Sequence, residues 1–388
     1  MSAQVTNVPT PDWLDQEEVN IYADAVRAFV EKECTPHIER WEKEGVVDRA
    51  LWNKAGEAGL LVPSAPEAYG GAGGDWRHDH VFHMALAEAG CDSWGASLHN
   101  SIVAPYVWHY GSEEQKARLL PKLVSGDYVG AIAMTEPGAG SDLQGVKTTA
   151  VREGNGYRIN GSKTFITNGG TANFIIVVAK TDASQGAKGI SLFGIETDGL
   201  EGFRRGRVLD KVGLKGQDTA ELFFDDMVVP ADALIGEEEG RGFYQLMDQL
   251  PQERLQIALY GVGMMKAALK ETIAYVKERK AFGKSIMDFQ NTQFKLAELK
   301  TKTTIAEVFC LDCSKRLYEG HLDAATASMA KYWVSDTQCE VIDECVQLHG
   351  GYGYMNEYPV ARMWRDARVQ RIYGGTNEIM KVLISRTL

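Results

Sequence analysis

The sequence predicts an α+β protein that is mainly helical, with a β-rich middle segment between two helical ones. Apolar residues recur every three or four positions up to about residue 128, and short β-branched and aromatic runs follow to about residue 238. Long apolar seams then continue to the C-terminus. We therefore expect an N-terminal helical domain at 1–128, a β domain at 129–238 and a C-terminal helical domain at 239–388.

The N-terminal segment is indicated as helical by its apolar spacing. The side chains that share one face of its first helix are Val19, Tyr22, Val26 and Val30. Pro36 should end that helix, since proline lacks the backbone donor that a helix interior needs. A further helix is predicted over residues 113–123.

The middle segment has the pattern of short strands. Strand-like runs lie on either side of an Asn-Gly pair at 160–161 and extend from Tyr157 to Ile166, which indicates a hairpin turn. Further strands are predicted over 174–178, 190–193 and 220–224. Because no segment of helical length separates these runs, we expect an antiparallel β unit rather than a dinucleotide-binding domain.

The C-terminal segment carries two long seams of small and medium-sized residues. The first consists of Leu296, Leu299, Thr303, Ala306, Cys310, Cys313 and Leu317, and the second of Ala327, Ala330, Val334, Thr337, Val341, Cys345 and Leu348. Such spacing is typical of long helices that pack at shallow angles in a bundle.

Composition excludes some functions. The chain has 53 acidic and 41 basic residues and a net charge of −12, so its surface repels a phosphate backbone and a nucleic-acid partner has little support. The longest apolar run, 174–179, is too short to span a bilayer. The first residues show no signal or transit pattern, so we expect a cytoplasmic protein, bacterial in origin, with a processed mitochondrial-matrix protein as the alternative.

The six cysteines are expected to be free thiols in a reducing compartment. Cys310 and Cys313 have the spacing of a redox or metal pair. However, they lie within a helical pattern that has no second Cys/His pair nearby, so a buried helix face is the better interpretation and no metal site is predicted.

The stretch MTEPGAGSD at 134–142 is the most informative motif. Gly138 and Gly140 allow a ligand close to the backbone, and Thr135 and Ser141 add hydroxyl groups. Successive N–H groups in such a turn can bind an anion, but a plain turn explains the composition equally well.

Most of the remaining motifs have two interpretations. Phe165, at the end of a strand, suggests a core residue, and Arg279 is either a pyrophosphate ligand or part of a helix stop. Gly-Gly breaks at 350–351 and 374–375 are either helix caps or close approaches to a bulky ligand. Glu253 and Arg254 form either a solvated helix face or a buried base beside an anchoring arginine.

Taken together, these motifs resemble the acyl-CoA dehydrogenase family over essentially the whole chain. The ordered set is MTEPGAGSD at 134–142, FITNG at 165–169, RKAFGK at 279–284, QLHGG at 347–351 and YGGTNE at 373–378. PQER at 251–254 looks closest to the long-chain branch. The resemblance implies an N-terminal helical domain, a central antiparallel β-barrel, a C-terminal four-helix bundle, and a homotetramer that binds one FAD per subunit.

The resemblance also implies site residues. It places at the cofactor Ile132, Met134, Thr135, Gly140, Ser141, Phe165, Ile166, Thr167, Arg279, Phe282, Gln290, Gln347, Gly350, Gly351, Thr376, Asn377 and Glu378. It places at the substrate Ser141, Ala187, Lys188, Tyr244, Arg254, Gly374 and Gly375. Arg279, Gln290 and the 347–351 segment would contact FAD held mainly by a neighbouring subunit.

One departure from the family pattern identifies the expected base. Many members carry a catalytic glutamate directly after the tyrosine of the C-terminal motif, where this chain has Gly374. The long-chain and isovaleryl branches instead place the base on an earlier helix, and Glu253 occupies that position.

The resemblance therefore implies α,β-dehydrogenation of a fatty acyl-CoA, of medium-to-long chain, to a trans-2-enoyl-CoA. Glu253 would remove the α-proton, the backbone N–H of Gly374 would stabilise the enolate, hydride would pass to flavin N5, and electron-transfer flavoprotein would take the electrons. The alternatives are a branched-chain or isoprenoid acyl-CoA dehydrogenase, an acyl-CoA oxidase and, against the acidic charge, a DNA-associated relative. A non-catalytic acyl-thioester binding protein is disfavoured by the presence of both base and flavin motifs.

Overall fold

The computed structural model describes residues 5–388. Residues 1–4, part of the segment on which the expectation about targeting rests, lie outside the described part. The N-terminal helices are α1 Glu17–Phe29, α2 Ile38–Glu44, α3 Arg49–Glu57, α4 Trp76–Glu88, α5 Ala96–Leu98, α6 Ala104–Tyr110 and α7 Glu113–Val124. Two π-helical turns, Val30–Cys34 and His99–Val103, follow α1 and precede α6. Helices, strands and helices thus follow one another in the predicted order.

Helix α7 confirms the helix predicted over 113–123, and its first turn shows why it begins there. The Ser112 hydroxyl accepts from the backbone N–H of Gln115, while the Gln115 side chain accepts from the backbone N–H of Ser112. This reciprocal cap satisfies two donors that the first turn would otherwise leave unpaired, and such caps contribute about 1 kcal/mol.

The middle segment forms one curled sheet of seven strands. The strands are β1 Gly130–Ala133, β2 Thr149–Glu153, β3 Gly156–Ile166, β4 Phe174–Lys180, β5 Ile190–Glu196, β6 Phe203–Val208 and β7 Ala220–Pro230. Their order is β1-β4-β2-β3-β7-β6, and β5 pairs with the remaining edge of β4.

The sheet is mixed and not wholly antiparallel, which corrects the expectation. Strands β1 and β2 both run parallel to β4 along the same edge, because the chain between them makes no hairpin. It instead leaves the sheet at residue 134 and returns at 149. The MTEPGAGSD turn lies in this excursion and is therefore held at the end of β1.

The hairpin predicted at Asn160-Gly161 is wrong. Strand β3 runs through both residues, and its pairing with β7 shifts register between Ile159 and Gly161 as in a β-bulge. A Cβ atom at Gly161 would lie 2.4 Å from the Thr148 hydroxyl oxygen, so glycine is needed for a close approach. The turn that joins β2 to β3 contains Gly154, with φ 56°.

The C-terminal segment begins with the long helix α8, Gly242–Glu278. The elements that follow are β8 Lys280–Ala281, β9 Lys284–Ser285, α9 Gln290–Tyr318, α10 Ala324–His349, α11 Pro359–Ala367 and α12 Asn377–Ser385. Helices α8, α9 and α10 pack against one another, and α11 and α12 lie against α10. The predicted mainly helical α+β fold is confirmed.

Both predicted seams face the interior. Their residues are buried except for Leu317 and Leu348, which are partly buried at the helix ends. Cys310 and Cys313 are free, buried thiols on α9, as the helix-face interpretation predicts. Within residues 5–388, no helix combines the length and the apolar character needed to cross a bilayer.

The buried apolar residues form two hydrophobic cores. One joins the N-terminal and C-terminal helices, and the other fills the inner face of the sheet. Helix α8 packs on α4 from the N-terminal segment, and it also contacts α6 and β5. It therefore forms one wall of the space between the helices and the strand ends.

Candidate active site

Glu253 is buried on α8, with only 3% of its surface exposed. Burial raises the pKa of its carboxyl group from 4.5 to about 7, although a hydrogen bond from Tyr106 and the charge of Arg254 both act in the opposite direction. The Tyr106 hydroxyl donates to Glu253 Oε1 at 2.7 Å. The interpretation of this pair as a solvated helix face is therefore wrong, since Arg254 is also buried, at 5% exposure.

Glu253 faces a cavity of about 220 Å³ between the helices and the ends of β1 and β3. The predicted residues that line it are Ile132, Met134, Thr135, Phe165, Ile166, Thr167, Glu253 and Gly374. The structure thus brings together the expected base, the Gly374 turn, two residues of the 134–142 motif with Ile132 just before it, and three residues of the 165–169 motif. The two that are furthest apart in sequence, Ile132 and Gly374, are separated by 242 positions.

Gly374 is held against α8 in a conformation that glycine favours. Its φ is 64°, and a Cβ atom at this position would lie 2.4 Å from the Ile257 Cδ1 atom. A side chain of any size here would therefore collide with the next turn of the helix that carries Glu253. Gly374 and Glu253 therefore lie on neighbouring walls of the same cavity.

Phe165 is not a core residue, which corrects the interpretation from its sequence alone. It has φ 58° and leaves 67% of its surface exposed at the cavity. A non-glycine residue in the left-handed region costs about 1–3 kcal/mol, and such strain persists where the surrounding structure imposes it. An exposed aromatic ring at a strained strand end is suited to cover a planar ligand.

A buried ion pair holds the MTEPGAGSD turn in place. Lys163 Nζ lies 2.9 Å from Glu136 Oε1 and also donates to the carbonyl oxygen of Met134 at 3.0 Å. Burial lowers the pKa of Lys163 to about 8 despite the attraction of Glu136. The N–H groups of Glu136 and Ala139 bond to each other's carbonyl oxygens, so they are not free to bind an anion.

Gly140 and Ser141 lie further along this turn and are exposed. They belong to the same 134–142 motif as Met134 and Thr135, but they do not line the cavity. Any ligand that contacts them must therefore extend out of the cavity toward solvent.

Arg254 points away from the cavity that Glu253 lines. Its nearest hydrogen-bond partner is the Ser328 hydroxyl of α10, at 3.4 Å, and burial lowers its pKa. Lys331, one turn further along α10, is also buried, and its pKa falls to about 7 through burial and then through the charge of Arg254. The structure therefore places Arg254 behind the base.

The C-terminal motif is anchored on α10 through Asn377. Its side chain donates to Ser335 and Asp336 and accepts from Lys331. Thr376 caps α12 by accepting from the backbone N–H of Ile379, and Glu378 is exposed. The Asn377 side chain is thus committed within the chain, which leaves its backbone for any cofactor contact.

A second group of predicted residues lies in a separate groove on the C-terminal helices. Arg279, Gly350 and Gly351 line this groove together with Tyr275, His349 and Tyr352. The remaining members are exposed on the surface, Phe282 to 95%, together with Gln290 and Gln347. None of these residues lines the cavity at Glu253.

A third groove lies at the start of α8, where Tyr244 is nine residues before Glu253. It is lined by Tyr244 with Tyr110, Arg241 and Asp248. The Lys188 carbonyl oxygen lies so close to Gly240 that a Cβ atom there would be 2.2 Å away. Exposed Lys188 and half-buried Ala187 therefore lie beside the turn that leads into this groove.

Sequence reasoning missed several lining residues. They are Asp92, Trp94, Gly95, Ser97, Leu98, Ile102, Leu214, Gln217, Gln256, Ile257, Tyr260, Gln370 and Tyr373, and Tyr106 lies behind them. Gln256, Ile257 and Tyr260 follow Glu253 at helical spacing, which would have identified them. The residues between 92 and 102 reach the cavity through tertiary packing, which no local signal reveals.

Three residues of the cavity wall carry buried side-chain oxygen atoms that have no hydrogen-bond partner within residues 5–388. Within the described part of the chain, Asp92 Oδ1, Gln256 Oε1 and Gln370 Oε1 are buried without a hydrogen-bond partner. Such groups are costly unless something satisfies them. A flavin offers N–H and ribityl O–H donors and a planar ring, so these residues fit the cofactor that the motifs imply.

Comparison with known proteins identifies the family to which the chain is similar. Family models for the N-terminal, middle and C-terminal domains of acyl-CoA dehydrogenase match residues 16–127, 131–227 and 240–388. The mitochondrial long-chain specific acyl-CoA dehydrogenase of Sus scrofa is 52% identical over 373 residues, which are 96% of this chain and 86% of the relative.

Solved structures share the fold. A crystal structure of an acyl-CoA dehydrogenase from Geobacillus kaustophilus has a TM-score of 0.94 at 48% identity and covers 96% of this chain and 98% of its own. A glutaryl-CoA dehydrogenase from Mycobacterium smegmatis, in complex with FADH2, has a TM-score of 0.89 at 29% identity, with coverage of 97% and 95%.

The fold and the three matched domains are those of a family of flavin-dependent oxidoreductases. The matches extend over nearly all of the sequence, and they make the assignment more specific. The chain belongs to the acyl-CoA dehydrogenase family. The resemblance inferred from the five motifs is confirmed.

Proposed function

We propose that this protein dehydrogenates a medium-to-long-chain fatty acyl-CoA to its trans-2-enoyl-CoA, with FAD as cofactor and Glu253 as base. The observation that carries the proposal is the burial of Glu253, whose pKa of about 7 accompanies a position on the same cavity as Gly374. The 52% identity to a long-chain relative supports a fatty acyl substrate.

Glu253 removes the proton from the α-carbon of the acyl group. A carboxylate in a dry cavity is a stronger base than one in water, because desolvation favours its protonated form, and each unit of pKa corresponds to about 1.4 kcal/mol. With a pKa of about 7, the group is both substantially ionised at neutral pH and well matched to accept a proton.

Gly374 stabilises the negative charge that develops on the thioester oxygen. Its backbone N–H belongs to a turn packed directly on Ile257 of α8, so the donor and the base keep a fixed separation. Preorganised donors of this kind act on charge as it develops and need no rearrangement during the reaction.

When bound, FAD supplies the acceptor for the β-hydrogen, which leaves as hydride toward N5. Met134, Thr135, Ile132, Ile166 and Thr167 would hold the ring from the strand ends, and Phe165 would cover it. Gly140, Ser141, Thr376 and Glu378 would contact the parts of the cofactor outside the cavity, with Asn377 contributing backbone alone.

The exposed groups on the C-terminal helices fit a shared cofactor in a homotetramer. Arg279, Phe282, Gln290, Gln347 and the 350–351 glycines are distant from the cavity of their own chain, yet they carry family cofactor motifs. In this arrangement they would contact the FAD of a neighbouring subunit. The exposure of Phe282 supports such a contact, since large aromatic side chains are seldom left in water.

The CoA moiety would lie along the groove at Tyr244, with Ala187 and Lys188 beside the turn that leads into it. Ser141 and Gly375 would lie nearer the thioester. Arg254, which is buried behind the base, would act on the substrate through its charge. We further propose electron-transfer flavoprotein as the acceptor and the cytoplasm as the place of action.

Anaerobic titration of the yellow protein with acyl-CoA tests the base. Glu253→Gln should retain FAD and its fold but lose bleaching of the flavin, because the amide cannot accept the α-proton. Glu201→Gln, an exposed glutamate, is the matched control. Full bleaching of the Glu253→Gln protein would overturn the assignment.

A panel of acyl-CoAs of graded length and branching tests the substrate. Straight chains of medium-to-long length should reduce the flavin with the highest second-order rate constants. A preference for branched or isoprenoid thioesters would contradict the chain type while leaving the role of Glu253 intact.

A further inference from the structure

Tyr106 is fully buried on α6, and its hydroxyl group contacts Glu253 of α8. Its hydroxyl donates to Glu253 Oε1 at 2.7 Å. The two residues are 147 positions apart, and no motif includes Tyr106. The bond engages one carboxylate oxygen and leaves the other to accept a proton.

The hydrogen bond can persist throughout the working pH range. Burial, followed by the negative charge of Glu253, raises the pKa of Tyr106 well above its usual value, so the phenol stays protonated. A phenol that donates to a carboxylate favours the ionised form and opposes the effect of burial on Glu253.

Both partners are held in place by neighbouring contacts. Gln252 Nε2, adjacent to the base, donates to the carbonyl oxygen of Ser101 at 2.9 Å in the π-helical turn that precedes α6. The Tyr106 ring packs against that of Tyr110, with centroids 6.1 Å apart. The hydroxyl therefore meets the carboxylate from a rigid position.

No other group around Glu253 duplicates this bond within residues 5–388. On α6, Tyr110 donates to Asp248. Arg254, next to the base, has its hydrogen bond with Ser328 and acts on Glu253 through charge alone. The other titratable groups on the cavity wall are Asp92, Tyr260 and Tyr373, and burial raises the pKa of each.

We propose that Tyr106 is a positioning residue for the base: its hydroxyl orients the Glu253 carboxylate and favours the ionised form. The inference rests on the proposed function of Glu253. Tyr106 exchanges no proton in the reaction, since the α-proton ends on Glu253 and the phenol keeps its own.

The test is the pH profile of flavin reduction at limiting acyl-CoA, which reports ionisations of the free enzyme. In Tyr106→Phe the inflection assigned to Glu253 should move upward by about one to two pH units, as expected for loss of a hydrogen bond to a charged group. At pH 7 the rate should fall by about fivefold to fiftyfold, as the ionised fraction of Glu253 falls, with recovery toward the wild-type rate at high pH.

Tyr157→Phe is the matched control. Tyr157, on strand β3, is also buried, and its hydroxyl donates to the Glu239 carboxylate at 2.8 Å. Its profile should equal that of the wild type. Site-specific 3-fluorotyrosine at position 106 preserves the shape and strengthens the donor, so the inflection should move downward. This second protein keeps the test decisive if Tyr106→Phe folds poorly.

An inflection that stays in place in both proteins altered at position 106 would overturn the proposal. Failure of the underlying function would look different: the Glu253→Gln protein would then be reduced normally by acyl-CoA. A Glu253→Gln protein that is not reduced, combined with an unmoved inflection in Tyr106→Phe, would reject the role of Tyr106 alone.

Discussion

The ammonium group of Lys331 lies 2.7 Å from the carbonyl oxygen of Gly375. Its second hydrogen bond, of 3.0 Å, reaches Asn377 Oδ1. Lys331 is completely buried on α10, so the turn that presents Gly374 to the cavity is fastened to the helical bundle by two hydrogen bonds from a buried lysine. The position of the proposed enolate donor therefore depends on a residue that does not line the cavity.

Lys331→Met should slow flavin reduction by about tenfold, a change of about 1.4 kcal/mol in the barrier, because the Gly374–Gly375 turn loses its anchor. Stability should change little, since loss of the hydrogen bonds is offset by no longer burying an ammonium group. Stopped-flow reduction and urea unfolding measure the two quantities. Lys302→Met, which removes an exposed lysine paired with Glu340, is the control. Unchanged reduction in Lys331→Met would refute this role.

Gly374→Ala should lose more activity than its backbone strain alone explains. The new Cβ atom would lie 2.4 Å from Ile257 Cδ1, so either the turn or the Ile257 side chain on the cavity wall must shift. Gly320→Ala is matched in φ, 77° against 64°, but meets no atom within 4 Å. Both variants should lose about 1 kcal/mol of stability from the left-handed backbone. Only Gly374→Ala should also slow reduction, by about tenfold or more. Equal rates in the two variants would contradict the proposed role of the turn.

The pH dependence of stability should report the buried Glu253. Its pKa is about 7 in the folded state against 4.5 for an unburied group, so the folded protein binds more protons between these values. Stability contributed by this group is complete below pH 4.5 and is lost as pH rises through 7. Glu253→Gln should therefore gain up to about 3 kcal/mol relative to wild type between pH 5 and pH 8. Urea unfolding at both pH values measures this, with the exposed Glu201→Gln as control. A constant difference between Glu253→Gln and wild type would show that Glu253 ionises normally.

Lys163→Met should destabilise the fold by about 3–5 kcal/mol, because it leaves Glu136 as a buried charge without its partner. Glu136 also accepts from the backbone N–H groups of Lys147 and Thr148, so the whole 134–148 excursion should loosen. The double variant Lys163→Met/Glu136→Gln should recover part of this loss. Lys295→Met, which breaks the more exposed pair with Glu344, should cost no more than about 1 kcal/mol. Chemical unfolding and retained flavin absorbance are the readouts, and a mild Lys163→Met phenotype would argue against the role of this pair.

The order of helices and strands could be predicted because periodicity is a local property. The α9 and α10 seams face inward as their spacing indicated. The prediction of a hairpin at Asn160-Gly161 was wrong because turns and β-bulges use similar residues. Which of the two forms depends on pairing with β7 and on the distant Thr148. The parallel pairing of β1 and β2 with β4 is likewise set by partners far away in sequence.

The candidate site was predictable where motifs carry it. Residues in the 134–142 and 165–169 motifs, Glu253 and Gly374 do meet at one cavity. Residue chemistry alone suggested that Phe165 was core and Glu253 solvated, because exposure depends on the neighbours that the fold supplies. Tyr106 could not be found, since its only signal is a contact with a side chain 147 residues away.

The close approach of Gly374 to Ile257 also bears on how such enzymes could diversify. A side chain added at position 374 meets the terminal methyl group of Ile257, which a change of rotamer can move. A carboxylate at that position would then face the same cavity as Glu253, from the turn instead of the helix. One cavity can thus receive its base from either of two elements, so exchanging the two arrangements requires changes at positions 253, 257 and 374 and no change of fold.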